Sequence, residues 1–308
     1  MPFRKPCAAL LALCLFIVLA LPAKAAAPGA GKKVRAAFVL LESIHDQGWS
    51  TSHYDGIEYL KKKLGGRVEV AYTENVHTPA EAERVFRDYA RQGYDVIFGT
   101  TFTYMDAMYT VAGEFPKVVF MHCSGYKTRP NLGTYMVRIE QGEYLAGYLS
   151  GLMGYRNVGT VATQPIPEVV RGIDAFTLGL LRGLKESKTS FDADKVNSVV
   201  WLKSWRDAVH ETGLAEELAA KKHDLIREMA DTSESSRAAC AKGVAAIGYG
   251  TDSAKYGAAC ALTSTTLQWG PLYVGIVKRI LAGTWRNDQL FVGFEGGGVG
   301  LATFGKAV

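Results

Sequence analysis

Between Val34 and Leu64 an unbroken apolar stretch (Ala36, Ala37, Phe38, Val39, Leu40, Leu41) passes through a polar loop, Glu42 to Ser52, into a segment with Ile57, Leu60 and Leu64 at helical spacing. A short apolar run bounded by polar residues suits a strand buried on both faces of a parallel sheet. In such a sheet the loop leaving a strand's carboxyl end faces the ligand crevice. That loop carries Trp49 among hydroxyls and an acid, a flat ring able either to stack a flat ligand or to serve as a core aromatic.

The pattern repeats along the chain. Val68 to Tyr72 predicts a second strand. Thr78, Pro79 and Glu81 open a helix with a capping residue, a first-turn proline and an early acid. Asp95 to Gly99 predicts a third strand leaving through Thr100 to Asp106, and a helix to Phe115 precedes a fourth strand, Lys117 to Cys123. Tyr144 to Gly154, apolar with small residues interleaved, reads as a buried helix. The rhythm restarts with strands at Val158 to Thr163, Val196 to Leu202, His223 to Glu228 and Val244 to Gly248, and with helices at Val169 to Lys185, Ala208 to Lys221 and near 234–243. Alternation at this spacing indicates βαβ units in an α/β protein. The second series is too long to extend the first sheet, so it predicts a second lobe. Toward the C-terminus, Ala259 to Thr266 reads as an extended crossover, Trp269 to Gly283 as a helix and Gln289 to Phe294 as a strand. The glycine-rich stretch 296–300 follows a strand without opening a helix, so it predicts a tight turn and not a phosphate loop.

Arg4 and Lys5, the apolar centre Ala8 to Leu21, and Ala23-Lys24-Ala25 describe a cleavable export leader, residues 1–25. The apolar centre is too short for a comfortable membrane span, which takes about 20 residues. Removing the leader leaves 32 basic against 30 acidic residues, a balance that argues against nucleic acid as a partner. Cys123, Cys240 and Cys260 remain. Export permits one bridge, with Cys240 and Cys260 the nearer pair, although small buried thiols are the default expectation.

No zinc-protease, nucleophile-elbow or phosphate-loop motif is present, so neither catalysis nor a cofactor is expected. His45 and Asp46 alone fall short of a metal set. What recurs is aromatic and polar residues at strand exits: Trp49, Phe102 with Tyr104, Trp201 with Trp205, Asp252 and Trp269. If both lobes are doubly wound, these exits line opposite walls of one cleft. Two rings closing from opposite lobes would sandwich a planar molecule, and acceptors such as Asp46, Asp106 or Asp252 would choose it by its N–H pattern.

Gly48-Trp49 through Tyr54 and Gly56, Gly99 to Asp106, His122 to Lys127, Arg138 with Glu143 to Gly147, Pro165 to Val170 with Gly172, Ser204-Trp205 and Gln268 to Pro271 stand in the order found in the basic membrane protein (BMP) family. The chain resembles these periplasmic substrate-binding proteins of ABC importers, in the branch that binds purines. The resemblance implies a type I periplasmic binding fold, two Rossmann-like lobes with parallel sheets joined by three crossovers. It divides the chain into 34–154 plus 267–285 and 155–266 plus 286–308, with hinges near 153–158, 264–268 and 285–288. It implies stacking of a purine base or nucleoside by Trp49 and Trp205, first-lobe contacts from Phe102, Tyr104 and Asp106, and second-lobe contacts from Glu168 and Asp252. The expected molecule is a monomeric periplasmic protein that delivers its ligand to an inner-membrane ABC permease. An extracytoplasmic sensor feeding a receptor is the alternative. Two departures stand out: Ala230-Asp-Thr-Ser-Glu234 replaces the branch's His-Thr-Asp-Ser, and the chain stops soon after Phe304.

Overall fold

The computed structural model describes residues 33–308, and the expected leader at 1–25 lies outside them. The apolar runs become the strands of a first sheet: β1 (Val34–Val39), β2 (Val68–Thr73), β3 (Val96–Gly99), β4 (Val119–Cys123) and β5 (Leu132–Val137), parallel and in the order β5-β4-β3-β1-β2. Helices α1 (Trp49–Leu64), α2 (Pro79–Arg91) and α3 (Met105–Glu114) connect them. On α1, Ile57, Leu60 and Leu64 are buried and Lys61 to Lys63 face out, as their spacing predicts. At the start of α2 the Thr78 hydroxyl accepts from the Glu81 N–H (3.2 Å), and the Glu81 carboxylate accepts from the Thr78 N–H (3.0 Å), a reciprocal cap. β5 has no counterpart among the expected strands, because Gly133 and Thr134 interrupt its apolar run.

The second half continues with α4 (Ile139–Leu152), β6 (Val158–Ala162), α5 (Pro167–Glu186), β7 (Asn197–Trp201), α6 (Ala208–Ala220), β8 (Leu225–Met229), α7 (Glu234–Ala241), β9 (Ala245–Gly250) and β10 (Ala261–Leu267). Its strands form a second sheet in the order β10-β9-β8-β6-β7, again parallel. The chain then gives α8 (Trp269–Leu281), which packs on α1, followed by β11 (Gln289–Val292) and β12 (Val299–Leu301). β11 adds to the first sheet beside β5, whereas β12 pairs antiparallel with β10 at the edge of the second. Two α/β lobes with parallel sheets, crossed three times by the chain, are therefore the architecture.

The lobe boundaries differ from the expected division at two places. Helix α4, expected with the first lobe, lies along α5 and against β10 and β12. β11, expected with the second lobe, pairs with β5 in the first sheet. The chain thus crosses at Arg138, at Gln268 and through Gly293 to Gly298, and only the crossing at Gln268 coincides with an expected hinge. The cause for α4 is steric and electrostatic. Its Gly147 and Gly151 abut α5 so closely that an added Cβ would lie 2.0 Å from the Phe176 carbonyl oxygen or 2.3 Å from that of Leu180, and Gly179 and Gly183 do the same in return. Glu143 of α4 also accepts from the buried Arg227 guanidinium of β8, at 2.9 Å from Nε and 2.8 Å from Nη2. Of the glycine-rich stretch 296–300, residues up to Gly298 form a tight turn, closed by the Gly298 N–H on the Gly293 carbonyl at 2.9 Å, while Val299 and Gly300 belong to β12.

Cys240 and Cys260 are joined in a disulfide that closes a span of 20 residues, so the expectation of buried thiols holds for Cys123 alone. Because α4 and α5 touch backbone to backbone, Gly147→Val is expected to cost about 1–3 kcal/mol or more by overpacking. Gly213→Ala is the control: it sits in α6 with nothing within 4 Å, and should stabilise by about 0.5–1 kcal/mol through helix propensity. Urea unfolding of the two variants checks both signs.

Candidate functional site

The exits of β1 and β3 face those of β6 to β9 across a narrow slot. Trp49 and Phe102 line it from the first lobe, and Glu168, Trp205, Asp231 and Tyr249 from the second. The two tryptophans thus stand on one void, contributed by different lobes. In this arrangement the walls are nearly in contact: the slot admits about 10 Å³, roughly one water-sized sphere. A flat ring enters only as the lobes part.

The position of Trp49 is set by Asp46. The Asp46 carboxylate accepts from the N–H groups of Gly48 (3.0 Å), Ser50 (2.7 Å) and Thr51 (2.9 Å) and from the Thr51 hydroxyl (2.9 Å). These bonds fold the loop after β1 into the first turn of α1. They occupy the acid that the sequence offers as a ligand acceptor, so Asp46 acts here on the loop. The Trp49 ring is then fixed by its Nε1–H donating to the Thr100 carbonyl at 2.7 Å, and by edge-on contacts with His53 and Trp269. Trp205 belongs to the loop between β7 and α6, half-buried, with a face toward the slot. Glu168, in the first turn of α5, is buried and accepts a hydrogen bond from the Ser124 hydroxyl of the opposite lobe. Burial pushes its carboxyl above the ordinary range.

Apart from Phe102, the remaining expected residues lie away from the slot. Phe102 borders it, but the Tyr104 ring two residues on is fully buried with its hydroxyl donating to the Val76 carbonyl. Asp106 is exposed and paired with Lys127. Asp252 caps the short turn Ser253–Tyr256. Together with Trp269 it borders a separate crevice of about 510 Å³ that also holds Asp55, Tyr59 and Lys255. The Trp269 ring itself is core, stacked on His53 at 4.2 Å with its Nε1–H on the Ser52 hydroxyl at 2.9 Å. That crevice is far larger than the slot. Two indoles contributed by different lobes at the strand exits favour the slot.

A family model described as "ABC transporter substrate-binding protein PnrA-like" (Bmp) matches residues 33–307. The chain belongs to the Bmp family. Among curated relatives of this Bmp protein, a purine-binding protein of Brucella abortus (strain 2308) is 34% identical over 276 residues, spanning 89% of this chain and 77% of that one. A putative ABC transporter glucose-binding protein of Haloferax volcanii is 37% identical over 271 residues, spanning 88% and 67%. Among solved structures, a solute-binding protein of an ABC transporter system from Aeropyrum pernix K1 superposes with a TM-score of 0.75 at 17% identity, covering 88% of this chain and 76% of that one, a likeness of fold.

Among the slot residues of this Bmp protein absent from the sequence-based expectation are Asp231 and Tyr249. Tyr249 lies inside β9 and reads as core. Asp231 lies in the segment that departs from the branch's pattern, and that departure was the available signal. Behind Asp231 the turn is braced by Glu211 of α6, which accepts from the Thr232 hydroxyl (2.7 Å), the Ser235 N–H (3.0 Å) and the Ser235 hydroxyl (2.9 Å). Burial nevertheless raises the Glu211 carboxyl from 4.5 to about 7. A carboxyl raised on folding favours the fold in its acid form, so its contribution is present below about pH 4.5 and is lost as pH rises through about 7. The melting temperature is expected to fall across that window, and Glu211→Gln to reduce the slope. Calorimetry of both proteins from pH 4 to 8 checks this.

Proposed function

We propose that this Bmp protein is the extracytoplasmic binding component of an ABC importer. In this reading it takes a purine base of the adenine or hypoxanthine type between Trp49 and Trp205 and presents it to a permease in the inner membrane. The observation that carries the proposal is that the two indoles, from different lobes, border one slot at the strand exits. Closing on a flat ring gives the ligand contacts with both lobes at once, which is the differential interaction needed to bias a hinge toward its closed state. The export leader expected at residues 1–25 and the Brucella relative's name as a purine-binding protein support it.

A sugar is the competing ligand, since the Haloferax relative is named for glucose. A pyranose is puckered and ringed with hydroxyls, and its recognition calls for several polar groups free to bond. In the slot Glu168 is already engaged by Ser124, and each of the opposed walls contributes an indole. That geometry favours the planar heterocycle.

Thermal-shift screening with adenine, hypoxanthine, xanthine, guanine, adenosine and glucose tests the reading, because a ligand that binds only the folded form raises its melting temperature. At least one free purine base should stabilise the protein and glucose should not. Trp205→Ala, at a half-buried loop position, should leave the unliganded fold intact and weaken binding of that base by about 1–3 kcal/mol, roughly five- to a hundredfold. Trp49→Ala should do the same while also lowering stability, because Trp49 belongs to the first core cluster. Stabilisation by glucose alone, or unchanged base affinity in Trp205→Ala, would contradict the proposal.

A further inference from the structure

The outward side of α5 carries a row of side chains that nothing in the chain covers. Gly179 and Gly183 turn toward α4, where an added Cβ would lie 2.0 Å from the Tyr144 carbonyl oxygen or 2.3 Å from that of Tyr148, so the opposite side of the helix is left to solvent. On that side Asp174, Leu178, Leu181 and Lys185 follow at intervals of four, three and four residues, which stacks them along one line. Leu178 is 61% exposed, Asp174 and Lys185 are exposed, and Leu181 is half-buried. Beside the row, Leu178 joins Tyr144, Leu145, Ala175 and Phe294 around an open apolar hollow of about 590 Å³. Apolar side chains gathered in one exposed place mark a contact surface, whereas scattered ones do not.

The charges on α5 say what fits there. Glu168 is bonded to Ser124, Arg171 to Glu140 at 3.2 Å, and Arg182 to Glu186, which also accepts from the Tyr148 hydroxyl. Asp174 and Lys185 are the charged residues of the helix that have no ion-pair or hydrogen-bonding side-chain partner among the described residues. They stand at the two ends of the row, roughly 16 Å apart at the helical rise. The row is also symmetric about the peptide bond between Gly179 and Leu180: Asp174 and Lys185 are equally far from it, and so are Leu178 and Leu181. A second α5 laid antiparallel across the first therefore sets acid against base twice and leucine against leucine twice, the self-complementarity that a two-fold contact requires. A partner of uniform charge, such as an anionic membrane surface, would match one end and be repelled at the other.

We propose that the outward face of α5 seats a second copy of this chain in an antiparallel two-fold dimer, in place of the expected monomer, with Asp174 against the partner's Lys185 and Leu178 against the partner's Leu181. Exposed ion pairs contribute little to affinity. The leucines and the apolar hollow supply the attraction, and the charges set the direction of the pairing. A standard interface covers about 800 Å² on each partner, more than one helix row offers, so Leu145 and Phe294 at 39% and 40% exposure are covered with it. Both α4 and α5 belong to the second lobe, so the contact joins second lobes and leaves each first lobe free to part from the slot and close on it.

Sedimentation velocity of the protein, expressed from its full chain and run from about 1 to 200 μM, tests the proposal. Wild type should pass from the mass of one chain to that of two as concentration rises. Asp174→Lys and Lys185→Asp should each weaken the pairing about tenfold or more, because two opposite-charge contacts become two like-charge ones. An equal mixture of the two variants should regain the wild-type association, since in the mixed pair every acid again faces a base. Leu178→Asp should keep the protein a single chain throughout. All three positions lie on an exposed or half-buried helix face, so melting temperatures close to wild type separate lost pairing from lost folding. Wild type remaining a single chain at every concentration, either charge variant pairing as tightly as wild type, a mixture no stronger than its components, or a dimer that survives Leu178→Asp would overturn the inference.

Discussion

The site depends on the contact of one loop, Asp46 to Gly48, with the opposite lobe. Asp46 spends its carboxylate on three backbone N–H groups and a hydroxyl, so the loop is stiff and Trp49 leaves it in a defined direction. Gly48 then lets the loop touch Asp231. A side chain there would collide with the Asp231 backbone, and Gly250 approaches Gly48 from the same lobe at 3.2 Å measured to a would-be Cβ. Thr251 completes the contact by donating its hydroxyl to the Gln47 carbonyl. The closeness of the lobes, the narrowness of the slot and the juxtaposition of the two indoles all follow from this approach.

A slot closed so tightly places acids where water is scarce. Asp46, Glu168, Glu211 and Asp231 are all raised by burial, and they differ in what satisfies them. Asp46 serves backbone and hydroxyl donors of its own loop, Glu211 those of the turn between β8 and α7, and Glu168 bridges the lobes to Ser124. Asp231 alone of these four has no protein donor.

Much of this was legible in the chain. Apolar runs alternating with helical patterns give two parallel α/β lobes because strands buried on both faces need no polar alternation. Strand exits carrying Trp49 and Trp205 point to a cleft because topology places those exits there. What sequence could not supply was direction. Tyr104 and Trp269 sit as near the exits as Trp49 does, yet their rings turn into the core, where Val76 and Ser52 meet their polar atoms. Asp106 and Asp252 are spent on a lysine and a local turn. Asp231 stood only within a segment that departs from the branch's pattern. The exchange of α4 and β11 between lobes was hidden for a related reason, since glycine spacing on α4 shows a close neighbour without saying which.

The central claim is that a flat heterocycle is clamped between indoles belonging to different lobes. A crystal structure of the protein with the purine base that stabilises it most tests this directly. The ring should lie between Trp49 and Trp205. Density for the base beside Trp269 in the crevice bordered by Asp252, with the slot still shut, would contradict the account.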